Sequence, residues 1–129
     1  MKAQYLQDFK DYMTSNNSQS KVALSETTSQ AIESARSELV EVALDIHAHP
    51  ELNYEEQHAA ELLSGTLEKH GFEVERGVGG VETAFTATLP GRGGEGPTVA
   101  ILAEYDALPD IGHGCGHNLI AMAAIGAGL

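Results

Sequence analysis

A single cysteine, Cys115, excludes an internal disulfide. Basic residues are scarce, 7 Lys and Arg against 19 Asp and Glu, for a formal charge of -12. A chain of that balance repels phosphate backbones and anionic headgroups, so neither nucleic acid nor an acidic membrane surface is an expected partner. Acidity that does no more than keep a protein soluble is the plainer account of the charge. No apolar run has the length of a membrane helix or a signal-peptide core. Asp8 and Asp11, in the first amphipathic turns, run against an organelle transit peptide. No internal repeat is visible. The compartment expected from these absences is reducing and soluble, the cytoplasm.

What is present suits one domain of ordinary size, 129 residues with an unremarkable apolar share. Tyr5, Leu6, Phe9, Tyr12 and Met13 recur at helical spacing and predict a short amphipathic helix over 1–13. Residues 14–20 are uncharged and polar and read as a linker. Together these make residues 1–29 a polar, flexible N-terminal extension, with the compact part, 30–129, beginning near Gln30. There Ile32, Leu39, Val42 and Ile46 form one helical stripe, which ends at His49-Pro50 because the residue before a proline is pushed out of the α region. Asn53 with Glu56 three residues on predicts a capping box for a second helix. Ala59, Leu62, Leu63 and Leu67 supply that helix's apolar face, and Gly71 its stop. Alternation then predicts strands over 72–75 and 81–89, and the glycine-rich stretch 90–97 a turn. Residues 98–103, almost wholly apolar, predict a strand covered on both faces. The small apolar residues 120–129 predict a buried helix. The fold class expected is α/β, a mixed sheet flanked by helices.

The densest chemistry follows the apolar strand. Between Glu104 and Asn118 lie three carboxylates, two histidines and the cysteine. Active sites in open α/β sheets gather beyond the carboxyl ends of strands. Gly112, Gly114 and Gly116 alternate with His113, Cys115 and His117; in an extended stretch these three side chains share one face. Thiolate and imidazole suit Zn²⁺ and borderline divalent ions generally. Asp106 is placed to accept the second ring N–H of His117. Asn118 is a candidate N-cap for the last helix, whose positive end would lower the Cys115 thiol pKa. His113 reads equally as a supporting hydrogen-bond donor or a turn residue, and Glu104 as a site carboxylate or an exposed strand end. Cys115 and His117 alone do not complete a tetrahedral site. His47 and His49 repeat the two-residue spacing, but a helix end favours histidine through its dipole, so a structural role explains them. His58 and His70 read as surface residues.

Two segments carry a resemblance. Asp45-Ile46-His47-Ala48-His49-Pro50-Glu51-Leu52-Asn53-Tyr54-Glu55-Glu56 resembles the N-terminal signature of metal-dependent amidohydrolases and metallopeptidases of the aminoacylase and carboxypeptidase G family. Ala103 to Pro109 followed by Gly112-His113-Gly114-Cys115-Gly116-His117-Asn118 resembles that family's metal-site segment, in the wording of the subgroup containing p-aminobenzoyl-glutamate hydrolase and the Xaa-Arg dipeptidase-like proteins. The resemblance covers about residues 30–129. It implies part of a phosphorylase/hydrolase-like catalytic domain, truncated, with a two-metal site of Zn²⁺ or Mn²⁺ that cleaves the amide of N-acyl or aminobenzoyl amino acids or dipeptides. Cys115 and His117 match metal ligands, Cys115 as the bridge, and Asp106 matches the acid that supports the site. Glu104 stands where some relatives have a histidine ligand; His47, His49 and Glu51 match the signature but no catalytic position. Two ions in such a site activate a bridging water and polarise the carbonyl, and a Glu acts as general base. In the family that Glu, further ligands and the smaller domain used for dimerisation lie later than any residue here, so a front segment inactive by itself is expected. Two other classes fit less of the pattern: a non-catalytic metal-binding or interaction module, and a reactive-thiol protein using Cys115.

Overall fold

The computed structural model describes residues 18–91 and 96–129, with side chains from residue 25 onward. The expected helix over 1–13 and the centre of the glycine-rich turn, residues 92–95, lie outside the described residues. The chain divides into two compact units, Met1–Glu33 and Ser34–Leu129.

Helix α1 spans Ser18–Ala48. It takes in Ser18, Gln19 and Ser20, overturning the linker expected there. No glycine or proline interrupts residues 18–48, and the helix-breaking penalty of other polar residues is small. In the first unit residues 25–33 are exposed, Ile32 among them. The buried stripe therefore begins at Leu39 and continues through Val42, Ala43 and Ile46.

Helix α2, Gln57–Lys69, starts at a cap that the sequence does not suggest. The capping box is overturned: Asn53 lies outside the helix, and Glu56 precedes it without a side-chain capping bond. Glu51 does the capping instead. Its two carboxylate oxygens accept the backbone N–H of His58 at 2.8 Å and of Ala59 at 2.9 Å, satisfying amides that a helix start leaves unpaired. Glu56 is buried and turns back to accept the Tyr54 N–H at 2.9 Å. The other end follows expectation. Gly71 adopts φ +86°, its N–H reaching the Glu68 carbonyl at 3.0 Å and that of Phe72 reaching Leu67 at 3.1 Å. This pair of bonds is the glycine-terminated helix stop, with Phe72 packing back against the core that holds Leu67.

Strands β1, Glu73–Arg76, and β2, Phe85–Thr88, pair antiparallel with Val74 opposite Ala87. Both strands fall inside or beside the predicted runs. A 3-10 turn at Val78–Gly80 joins them, where Gly77, Gly79 and Gly80 all hold positive φ. The ribbon lies on α2, and Arg76 closes a bidentate pair with Glu68 at 2.7 and 3.0 Å. Helix α3, His117–Gly128, completes the second unit.

Leu39, Val42 and Ile46 of α1, Ala59, Leu63 and Leu67 of α2, and Ala121 and Ile125 of α3 form one core, with Phe72, Val74, Phe85 and Ala87 packed against it. Each large aliphatic side chain there contributes about 1.5–3 kcal/mol by leaving water. Ser64 and Thr66 are also buried, their hydroxyls bonded to helix carbonyls at Glu61 and Leu62.

The architecture is mixed α and β, but its sheet is a two-stranded antiparallel ribbon among the described residues. A mixed sheet with 98–103 as its covered strand is therefore not what is found. Residues 98–103 pair with no strand among the described residues, and Val99 and Leu102 are 83% and 89% exposed. An apolar run becomes a buried strand only where neighbours occupy both its edges and both its faces; here neither is supplied.

Candidate functional site

Residues 104–118 are held by their first half. Ala107 donates its N–H to the Glu51 carbonyl at 2.7 Å in a parallel bridge between Leu52 and Ala107. Leu108 and Gly112 then exchange both backbone bonds, at 2.9 and 3.0 Å, closing a tight loop through Asp110 at φ +66°. Next comes a 3-10 turn, His113–Cys115, and Gly116 at φ +84° opens α3. The extended reading of 112–117 is thus overturned. Alternate glycines permit an extended chain, but Gly112 and Gly116 use their freedom to turn it. As a result His113 is buried while Cys115 is exposed, and the three side chains do not share a face.

Asp106 and His117 do meet. His117 Nδ1 donates to the Asp106 carboxylate at 2.8 Å and lies 3.0 Å from the Asp106 carbonyl. With that hydrogen committed, His117 Nε2 points toward Glu104, whose Oε2 lies 3.4 Å away. In that tautomer the Nε2 lone pair faces a carboxylate oxygen, two ligating atoms side by side. Asn118 is not the N-cap: Gly116 occupies that position, and Asn118 is buried one residue into the helix. Its side-chain amide donates to the Ala43 carbonyl of α1 at 3.0 Å, which joins α3 to the core instead.

Of the two readings of His113, the turn residue holds and the hydrogen-bond donor does not: it opens the 3-10 turn with its ring buried. Neither ring nitrogen has a hydrogen-bond partner. Burial is the main reason its pKa falls below the usual value; His47 and His117 push the same way, and the Asp106 charge opposes them. The Ile46 carbonyl also favours the charged ring without forming a bond of normal geometry. The His47 ring, itself exposed, lies 6.3 Å from it between centroids.

Tyr105, between Glu104 and Asp106, anchors the chain there. Its hydroxyl donates to the Thr83 carbonyl, while the Thr83 hydroxyl donates to Glu56 at 2.8 Å. Its ring stacks on Phe85 at 6.1 Å. Burial first, and the Glu56 charge second, push its pKa up to about 12.

One group escapes a reading of the sequence. Asp45, His49 and His58 bring one ligating atom each within 4.8 Å of one another, the tightest such trio of metal-ligand side chains among the described residues. Asp106, Cys115 and His117 do not gather as closely. Asp45 and His49 are one helical turn apart, which is legible; His58 joins them only through the corner at Pro50.

No family model matches the chain. Individual relatives do. It is 39% identical to a p-aminobenzoyl-glutamate hydrolase subunit of Escherichia coli, over 77% of this chain and 24% of that protein. It is 38% identical to Xaa-Arg dipeptidase of Mus musculus, over 82% of this chain and 26% of that protein. Against thermostable carboxypeptidase 1 of Saccharolobus solfataricus it is 36% identical, over 69% of this chain and 26% of that protein. The chain belongs to this family of amidohydrolases and peptidases. It spans about a quarter of the length of the family members it matches. Among the described residues no helix is long and apolar enough to cross a membrane.

Proposed function

We propose that residues 104–118 are part of the metal site of an amidohydrolase that cleaves the amide of N-acyl or aminobenzoyl amino acids or of dipeptides. The observation that carries this is the Asp106–His117–Glu104 line. A carboxylate holds the imidazole by Nδ1, as partners of metal-ligating histidines do, and Nε2 faces a second carboxylate at 3.4 Å. That arrangement fits a divalent cation. His117 through Nε2 and the exposed thiol of Cys115 would hold it, with Asp106 as the orienting acid. Zn²⁺ or Mn²⁺ bound there would supply Lewis acidity and an activated water.

What these residues do themselves is orient. Asp106 keeps His117 in the Nδ1–H tautomer, Tyr105 fixes the backbone between the two carboxylates, and the Glu51–Ala107 bond ties the segment to the corner after α1. Full hydrolysis needs a general base and more ligands than are gathered here. In a protein of its relatives' length, we assign these to a phosphorylase/hydrolase-like catalytic domain in which residues 98–103 are flanked by additional strands. The exposed apolar side chains of Val99, Ile101 and Leu102 support that placement. The names of the relatives point to small N-acyl amino acids or dipeptides as substrate, and the family reading extends to two ions, dimerisation and a cytoplasmic setting.

The test uses a protein of its relatives' length that contains this sequence. Metal-free protein is assayed on p-aminobenzoyl-glutamate, Xaa-Arg dipeptides and N-acetyl amino acids, before and after addition of Zn²⁺ or Mn²⁺. Release of free amino acid that requires metal, and that Cys115→Ser abolishes together with one metal equivalent, is expected. Metal content unchanged in Cys115→Ser sinks the assignment.

A further inference from the structure

A second cluster, at the corner over residues 49–57, is independent of that reading. We infer that Asp45, His49 and His58 form a surface site for a single divalent transition-metal cation of the zinc class.

The two helix ends converge on one carboxylate. His49 Nδ1 lies 2.9 Å from the Asp45 carbonyl and 3.3 Å from its Oδ1. His58 Nε2 makes a very close contact with the same Oδ1. The two imidazole rings are 4.5 Å apart between centroids and tilted by 51°. One ligating atom from each residue falls within 4.8 Å of the others. Nitrogen and oxygen ligands of tetrahedral zinc sit about 2.0–2.2 Å from the metal, hence about 3.3–3.6 Å from one another. The contraction required is small, and the side chains are exposed enough to rotate: those of His49, His58 and Asp45 are 56%, 43% and 42% accessible.

Charge favours the ion. His49 follows the C-terminal end of α1, where the helix dipole attracts a cation. His58 is in the first turn of α2, where the dipole repels one, but the Glu51 carboxylate sits on the His58 and Ala59 amides and offsets it. Two imidazoliums sharing one carboxylate would repel each other. One dication uses both neutral rings and the carboxylate at once.

The trio is also preorganised. Glu51 ties the corner to the start of α2 through its side chain and to Ala107 through its carbonyl. The two helix ends cannot separate without breaking those bonds. Two histidines and one carboxylate leave a coordination position for water or a further ligand, the set used by zinc and by other first-row ions.

The experiment is a Zn²⁺ titration of the 129-residue chain, followed in ring ¹H–¹⁵N spectra and by calorimetry. In the wild type the His49 and His58 ring resonances are expected to shift together and saturate at one equivalent. They should do so equally in Cys115→Ser, which removes the other candidate ligand and so separates the two readings. His49→Gln and His58→Gln should each weaken this equivalent at least about tenfold. His49 and His58 rings unmoved by Zn²⁺ in the wild type, or shifts lost in Cys115→Ser, overturn the proposal. So does unaltered affinity in His58→Gln. A hydrogen-bonded trio without metal affinity would give the first of these results.

Discussion

Asp106 accepts the Nδ1 hydrogen of His117 across 2.8 Å, eleven residues apart in sequence. This bond should set the tautomer of His117. Ring ¹⁵N spectra are expected to show His117 as the Nδ1–H form, and Asp106→Ala to mix the tautomers. Removing a partner of this kind lowers metal affinity by about 10–100-fold. Isothermal titration of Asp106→Ala with Zn²⁺ checks that magnitude.

Glu51 should matter more to stability than its position outside any helix suggests. Glu51→Ala removes both oxygens that cap α2 and is expected to cost about 1–2 kcal/mol, the range for loss of a helix cap. Glu51→Gln, with one acceptor oxygen in place of two, should cost less. Urea unfolding of the three proteins measures the difference. Equal stability in Glu51→Ala and wild type would mean that the amides of His58 and Ala59 are capped by something else.

Sequence reasoning reached α2, its glycine stop and the two strands because each is announced within a few residues. Gly71 follows an apolar stripe, and Val74 alternates with glutamates. It also reached the Asp106–His117 pairing, since a carboxylate accepting an imidazole N–H is a matter of residue type. It did not reach Glu51. A carboxylate that caps amides seven and eight residues ahead depends on the corner at Pro50, and no local pattern records that corner. The Asp45–His49–His58 trio was missed for the same reason. The extended reading of 112–117 failed because alternate glycines are as compatible with turning as with extension. Residues 98–103 show the remaining gap: composition tells what a strand is suited to, while its neighbours decide whether it is one.

Tyr105 makes stability fall in alkali. Its pKa is raised from 10.0 to about 12 in the folded chain, so the fold keeps the proton longer than the unfolded chain does. The contribution is complete below about pH 10 and drains away as pH climbs toward about 12. Tyr105→Phe should flatten that limb and cost about 1 kcal/mol at neutral pH, through loss of the bond to the Thr83 carbonyl. Melting curves from neutral pH to the far side of that range test both.

His113 should be a liability to the fold. Two buried ring nitrogens without partners carry an unrecovered desolvation cost. His113→Leu, similar in bulk and without polar atoms, is expected to raise stability by about 1 kcal/mol. A variant less stable than wild type in urea would show that the ring is paired in solution.

The Asn118 amide, bonded to the carbonyl of Ala43, has a mechanical consequence. It splints the helix that begins with His117 to the helix that ends beside His49, with Ala121 and Ile125 wedged along the same seam. A twist of either helix about its own axis would tear that rivet. The ends that carry His117 and His49 are therefore held at a fixed spacing by a bond that belongs to neither cluster.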